Sequence, residues 1–137
     1  MADFGQQVAA HAERYKKRMR AVAKESVQKT VEIMQQPTGD GGRMRVETSF
    51  LRASLAANIG SMPSGESENL GGAFSYDGTA VAVALLKWNP ELGEVFYLGY
   101  VANYARPREA KDGFLRGAVE LWPRTVNEVA QKVKALI

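Results

Sequence analysis

The chain has 137 residues, 45% hydrophobic and 24% charged, which is typical of a single globular domain over residues 1–137. The absence of cysteine excludes disulfide bonds, thiol nucleophiles, thiolate zinc sites and iron–sulfur clusters. A single histidine, His11, is too few for a metal site built from imidazoles. The first residues lack an export-signal pattern and no apolar run is long enough to span a membrane, so we expect a protein made in a cytoplasm, without a membrane partner.

The net charge of +3 is unevenly distributed along the chain. Residues 1–45 contain nine Lys or Arg against five Asp or Glu, whereas the rest of the chain is almost neutral. We define a basic stripe by five residues: Arg14, Lys16, Lys17, Arg18 and Lys24. Such a stripe can contact nucleic acid, contact an acidic protein surface, or form a solvated helix face, and these alternatives stay open.

The N-terminal third of the chain predicts two helices separated by a loop. Residues Ala2 to Gln36 place apolar side chains near the 3.6-residue period, without glycine after Gly5 and without proline. The Gly-rich segment after Gln36 ends this helix, and we expect a mobile loop over about 37–46. A second helix is predicted from an N-cap at Thr48 to Ile59, before Gly60.

The middle of the chain predicts a long loop followed by a β-hairpin. Glycine, serine, proline and asparagine are concentrated over about 60–78, which indicates a mobile loop. Residues Thr79 to Lys87 alternate between larger and smaller apolar side chains, as a strand does. After a turn at Trp88–Gly93, the aromatic segment Glu94 to Tyr100 predicts the second strand of the hairpin. A helix is the less favoured alternative there.

The C-terminal part predicts a short helical turn interrupted at Pro107 and a long helix over 113–137, with a kink or restart at Pro123. The element order therefore predicts an α+β fold, in which a small antiparallel sheet packs with a long N-terminal and a long C-terminal helix. Because two strands alone are marginal, either further strands lie within 38–48 and 60–78 or neighbouring subunits complete the packing.

No pattern for catalysis or cofactor binding is found. The glycines of residues 39–42 lack the Lys-Ser/Thr pair of a phosphate-binding loop. No serine has a nucleophile-elbow context or a partner base, and the acidic residues show no paired spacing. We therefore predict no catalytic, cofactor-binding or metal-binding residue, and no enzymatic activity.

Three segments together resemble the tail-completion, or neck, proteins of long-tailed bacteriophages. Residues Glu47 to Leu55 resemble the family pattern D-T-G-x-L-R-x-S, with Ser49 at the glycine position. Residues Gly93 to Glu109 resemble G-D-x-x-Y-x-G-x-x-x-x-Y-A-x-x-x-E. Residues Gly113 to Val133 are similar to the family's C-terminal helix, although the family's long insertion before that helix is nearly absent here.

The resemblance implies a structural virion protein of α+β fold whose copies form a ring, most simply a hexamer, at the head-proximal end of the tail. Its implied partners are itself, the tail terminator and tail tube proteins, and the connector and stopper proteins of the head. A tail terminator or a head-side adaptor protein is the first alternative. A nucleic-acid-binding module that uses the basic N-terminal helix is the second.

Two surfaces are candidates for these contacts. Tyrosine and arginine are enriched at the energetic centres of interfaces, which favours the region of the second predicted strand and the following turn. The predicted interface residues are Phe96, Tyr97, Tyr100, Tyr104, Arg106 and Arg108. The basic stripe is expected to face either an acidic partner or DNA in the tail channel.

Overall fold

A computed structural model describes residues 3–46, 49–65, 67–69, 71 and 74–136, and these residues confirm the α+β prediction. Six helices and a two-stranded antiparallel sheet are present in the described ranges. In chain order the elements are α1 (Phe4–Gln35), α2 (Phe50–Ala53), β1 (Leu55–Ile59), α3 (Thr79–Lys87), β2 (Phe96–Tyr100), α4 (Ala105–Asp112), α5 (Phe114–Glu120) and α6 (Trp122–Leu136).

The long N-terminal helix is confirmed as α1. It begins with a capping box, because the Asp3 carboxylate accepts from the Gln6 amide at 2.7 Å and the Gln6 side chain accepts from the Asp3 amide at 3.2 Å. No glycine or proline interrupts the following turns. The helix ends before Pro37, which cannot donate to the hydrogen-bond ladder.

The second predicted helix is largely wrong. Only Phe50–Ala53 forms one helical turn, and the chain then continues as β1. Thr48, the predicted N-cap, lies outside the described residues. The chain changes from helix to strand because alternate residues of β1 are needed on the core side, opposite the aromatic strand β2.

The sheet pairs β1 with β2, so the predicted hairpin between 79–87 and 94–100 is wrong. Leu55 is opposite Tyr100 and Ile59 is opposite Phe96 in an antiparallel register. Every second residue of each strand packs against the main core cluster, including Leu98 of β2. The connection between the two strands holds α3, so the pairing is between segments distant in sequence.

The predicted strand over 79–87 is also wrong, because these residues form α3. The Asp77 carboxylate accepts from the Thr79 amide at 2.9 Å and from its hydroxyl at 2.6 Å, which fixes the start of the helix. Val81, Leu85 and Trp88 are buried at helical spacing. The high helix propensity of alanine and leucine outweighs the apparent alternation.

The two C-terminal prolines occupy first turns of helices, where proline is tolerated. Pro107 is the third residue of α4 and does not interrupt it, which corrects the predicted interruption. Pro123 is the second residue of α6, and the break before it confirms a restart of the helix. The pair Lys132–Glu25, at 2.9 Å, ties α6 to α1.

The two predicted loops are anchored at several points. In the first, the Thr38 amide donates to the Met44 carbonyl at 2.9 Å, and Met44 is fully buried. In the second, Ser67 forms a single bridge with Ala102. The described residues of both segments contribute isolated bridges and no further strand to the sheet. The mobility of these loops stays a prediction.

Two buried clusters form the core. The larger lies between α1, α3, the sheet and α5, and includes Val31, Met34 and Ala118. The smaller surrounds Met44 and Phe114, and joins the turn after α1 to the start of α5. Tyr100, on the last position of β2, contacts both clusters and connects them.

Candidate interaction surfaces

The N-terminal part of α1 is exposed along its whole circumference. Every residue from 4 to 17, which we call the exposed segment, has an exposed side chain. Phe4 is 80% exposed and Tyr15 is 65% exposed. At 1.5 Å per residue the segment is about 21 Å long. Since most helix stability in proteins comes from packing of an apolar face, this segment is poorly supported by its own chain.

The basic stripe begins within the exposed segment. Arg14 and Lys17 are exposed there. Lys16 is in an ion pair with Glu13, one turn earlier, at 3.5 Å. Exposed pairs of this kind contribute little to stability, so these cations remain accessible to an anionic partner.

The rest of the stripe lies beside other elements. The Lys24 ammonium donates to the Leu86 carbonyl oxygen at 3.3 Å, at the end of α3. Arg18 lines a groove between α1 and α6. A neighbouring cation that the sequence did not single out, Arg20, binds the Glu91 carboxylate, and its Nε is 3.0 Å from Oε1. The five cations therefore do not form one continuous surface, and their contact with DNA or an acidic partner stays a prediction.

The groove between α1 and α6 is open and has a volume of about 530 Å³. Its apolar lining consists mainly of Tyr15, Met19, Val22, Trp122, Val126 and Val133. Its lining also includes the fully buried Ser26, whose hydroxyl has no hydrogen-bond partner among the described residues. No sequence motif marks this groove, because its two walls are more than 90 residues apart in the chain.

Two of the predicted interface aromatics belong to the core. The Phe96 ring centroid is 5.2 Å from that of Trp88. The Tyr100 ring meets Phe114 edge-on, with centroids 5.1 Å apart. Burial raises the pKa of Tyr100 far above its ordinary value, so its hydroxyl stays protonated. In the single chain these two aromatic residues hold the sheet against the helices.

The other predicted interface residues are nearer the surface. Tyr97 alternates with the core-facing residues of β2 and is half-buried. Tyr104 is also half-buried and packs against the smaller core cluster, with its ring centroid 5.8 Å from that of Phe50, whereas Arg106 is exposed. Arg108 is held by Asp112, with Nη2 and Oδ2 2.7 Å apart. Tyr97 and Arg106 are the members of the set most accessible to another subunit, and their role there stays a prediction.

A polar cluster that the sequence did not indicate lies at the end of α1. The buried Gln35 side chain donates to the Arg52 carbonyl at 2.8 Å, and the Arg52 Nε donates to the Gln35 carbonyl at 2.8 Å. The Tyr100 hydroxyl donates to the Gln35 Oε1 at 2.6 Å. Gln35 thereby joins α1, α2 and β2 through three hydrogen bonds between largely buried groups.

The first motif segment has a distinctive local geometry. Ser49, at the glycine position of the pattern, has φ 66° and is the only non-glycine residue with positive φ in the described part of the chain. The left-handed region favours glycine. The Ser54 hydroxyl donates to the Leu51 carbonyl at 2.6 Å and ends the helical turn. This motif segment therefore forms one helical turn, which begins after a left-handed residue and ends at Ser54.

The second and third motif segments are joined directly. The Glu109 carboxylate of α4 accepts from the Leu115 amide at 2.8 Å and from the Arg116 amide at 2.9 Å. These are first-turn amides of α5, which have no partner within their own helix. Gly113 makes the turn between the two helices with φ 66°. The last residue of the second motif thus fixes the start of the third.

Three arginine residues line a concave site of about 370 Å³ beside Ser49 and Tyr104. They are Arg45, Arg52 and Arg108. Guanidinium groups suit carboxylate and phosphate oxygens. Because Arg52 and Arg108 already donate within the chain, only part of their hydrogen-bonding capacity faces this site.

Within the described residues, no group of three or more His, Asp or Glu side chains is placed to hold a metal ion. His11 is exposed on α1. None of the helices over these residues combines the length and the apolar character that crossing a membrane requires.

Comparison of the chain with protein-family models, curated proteins and solved structures gave no match.

Proposed function

We propose that this chain is a structural subunit of a long-tailed phage particle. In this role its copies form a ring, taken as a hexamer, at the head-proximal end of the tail. The ring joins the tail tube and terminator proteins to the connector and stopper proteins of the head.

The observation that carries the proposal is the mutual packing of the three motif segments. Phe50 of the first segment contacts Tyr104 of the second, with ring centroids 5.8 Å apart. Glu109 of the second segment caps the helix that begins the third. Ser49 adopts the conformation that a glycine would favour, at the position where the pattern has glycine. This agreement supports the resemblance beyond the residue types alone.

The exposed segment of α1 supports an assembly role independently of the motifs. It carries Phe4, Val8 and Tyr15, which are 80%, 51% and 65% exposed. Large apolar side chains grouped on one exposed helix favour contact with another protein. A chain that acts alone would gain nothing from leaving them uncovered.

Electron micrographs of a lysate in which this gene is deleted, beside the complemented control, test the proposal. We expect filled heads beside separate tails of normal length. Overlong tails would instead support the tail-terminator alternative. In the complemented control, retention of the protein on separated heads rather than on tails would support the head-side adaptor. Normal joined particles would contradict the structural role.

The predicted interface is tested in the same complementation assay. Arg106→Glu reverses an exposed charge on α4, and Lys111→Glu is a matched control on the same helix. We expect Arg106→Glu to reduce the number of joined particles and Lys111→Glu to leave it unchanged. Equal behaviour of the two variants would remove Arg106 from the interface.

Nucleic-acid binding is the second candidate, favoured by the exposure of Arg14 and Lys17. Binding through phosphate contacts would weaken steeply with salt. The purified chain can be titrated with duplex DNA at two salt concentrations. Salt-dependent binding that is lost in Arg14→Glu with Lys17→Glu would support this role.

A further inference from the structure

The apolar groove and the exposed segment form one continuous surface. Phe4, Val8, Tyr15, Met19 and Val22 fall on one narrow face of α1 at 100° per residue. The last three of these residues line the groove against α6. The groove portion of α1, from residue 15 to residue 26, is about 16 Å long, which is about three helical turns.

The shape of this surface suits a helix. Two helices form its walls and leave an open channel between them, so a third helix can place apolar side chains there at three- and four-residue spacing. The floor includes the small residues Ala23, Ser26 and Ala130, which permit close approach. Met19 and Trp122, on opposite walls, are 42% and 40% exposed and become covered when the channel is filled.

The charges around the surface select among possible occupants. Residues 4–26 contain six Lys or Arg and two acids, and residues 122–136 contain three Lys or Arg and one acid. Of these cations, Arg20 is paired with Glu91, Lys132 is paired with Glu25, and Lys24 lies on the other side of α1. Arg18 and Lys134 stand on the groove itself. Either helix of a second copy would bring like charges together along this seam. An occupant with acidic flanks gains attraction from the same charges.

We propose that the groove between α1 and α6 is a docking site for an amphipathic helix with acidic flanks, supplied by a different protein. This inference deepens the assembly role above and rests on it in one respect, namely that the partner belongs to the same particle. The groove would thus mediate contact with the tail or the head, separately from the contacts that close the ring.

The site can be tested with designed helical peptides of about 18 residues, with leucine on one face and either glutamate or lysine on the flanks. Binding to the purified full chain is measured by calorimetry and by tryptophan emission. Of the two tryptophans, Trp88 is only 9% exposed and packs against Phe96, so a bound peptide should leave its emission unchanged. A blue shift of the tryptophan emission therefore reports that Trp122 is covered. We expect the glutamate peptide to bind and the lysine peptide not to bind.

Two exposed apolar positions provide a matched pair of variants. Met19→Glu places a negative charge in the groove, whereas Leu86→Glu does so at a 78% exposed site on α3. Leu86 lies beside Lys24, on the side of α1 opposite the groove. We expect Met19→Glu to weaken binding of the glutamate peptide at least about tenfold, and Leu86→Glu to change it less than about twofold. Circular dichroism verifies that both variants are folded.

Three results would overturn the proposal. The first is no binding of the glutamate peptide to the wild-type chain, and the second is equal weakening by Met19→Glu and Leu86→Glu. The third is self-association of the chain that Met19→Glu abolishes, because the groove would then accept a second copy. These results concern the isolated chain, so they are independent of the deletion micrographs, and the docking site and the particle role can fail separately.

Discussion

The two ends of α1 differ sharply in how far their side chains are buried. The C-terminal half contributes Val31 and Met34, which are 2% and 1% exposed, to the main core cluster. At the N-terminal end, every side chain from residue 4 to residue 17 is exposed, including Phe4 at 80%. One continuous helix with one capping box thus serves as core in one half and as open surface in the other.

The contrast separates the part of the chain that stabilises the fold from the part proposed to contact a partner. The body, where α1 ends, holds both core clusters, the Gln35 cluster and the three motif segments. The exposed segment contributes apolar surface and positive charge, with little packing in return. Substitutions in the body should therefore lower the free energy of unfolding, whereas substitutions in the exposed segment should mainly affect partner binding.

The sharpest test of this contrast applies the same substitution to both regions. Phe114 is 2% exposed and packs against Tyr100, so Phe114→Ala should lower the free energy of unfolding by about 3–5 kcal/mol. Phe4→Ala should change it by less than about 0.5 kcal/mol. Urea denaturation of the two variants measures both values. Similar losses in both would mean that the exposed segment is packed in solution.

A second test uses two glutamines of α1. Gln35→Ala removes the partner of the Tyr100 hydroxyl and of the Arg52 carbonyl, and should cost about 2–3 kcal/mol. Gln28→Ala, at an exposed position of the same helix, is the control and should be nearly neutral. A loss for Gln35→Ala no larger than for Gln28→Ala would show that the polar cluster contributes nothing to stability.

A third test concerns the turn that ends α1. A Cβ at Gly42 would lie 1.9 Å from the Gln36 carbonyl oxygen, whereas a Cβ at Gly39 would meet nothing within 4 Å. Gly42→Ala should cost about 1–3 kcal/mol, because the backbone must shift and Met44, two residues later, is fully buried. Gly39→Ala should be close to neutral, and thermal unfolding of both variants distinguishes them.

The smallest expected effect is a dependence on pH. The hydrogen bond from Arg20 lowers the pKa of Glu91 below its ordinary value of 4.5. A carboxylate with a lowered pKa in the folded state stabilises the fold above its ordinary pKa, and that contribution is lost as the pH falls through the lowered value. Glu91→Gln should therefore lower the free energy of unfolding at neutral pH. The difference in this free energy between Glu91→Gln and wild type should become smaller in acid.

Urea denaturation at several pH values measures the difference in free energy of unfolding between Glu91→Gln and wild type. Glu128→Gln is the control, because Glu128 pairs with Arg124 where both side chains are mostly exposed, at 65% and 76%. A constant difference between Glu91→Gln and wild type across the acid range would contradict a stabilising role for the Arg20–Glu91 pair.

Local signals in the sequence were sufficient to predict α1 and the restart of the last helix. The apolar spacing near 3.6 residues, the absence of glycine and proline over the later turns of α1, and Pro123 are all read without knowledge of the tertiary structure. Alternation over 79–87 was misleading, because the alanine and leucine of this segment favour a helix. Asp77, which accepts hydrogen bonds from Thr79 just before the helix, was the available local signal for its start.

The strand β1 and the candidate sites could not be predicted from local signals in the sequence. Leu55–Ile59 becomes a strand because it pairs with β2, about 40 residues later in the chain. The Arg20–Glu91 pair spans 71 residues, and the groove joins the two ends of the chain. The Tyr and Arg enrichment did locate a structurally important region, but Phe96 and Tyr100 face the core there.

The most direct measurement of the central contrast is hydrogen exchange along α1, in the isolated chain and in assembled particles. In the isolated chain we expect amides of residues 8–17 to exchange much faster than those of residues 26–35. In the particle we expect the faster set to become protected, because a partner covers the exposed segment. Equal protection of the two halves in the isolated chain, or no gain in the particle, would contradict the division between a self-supporting body and a surface for assembly.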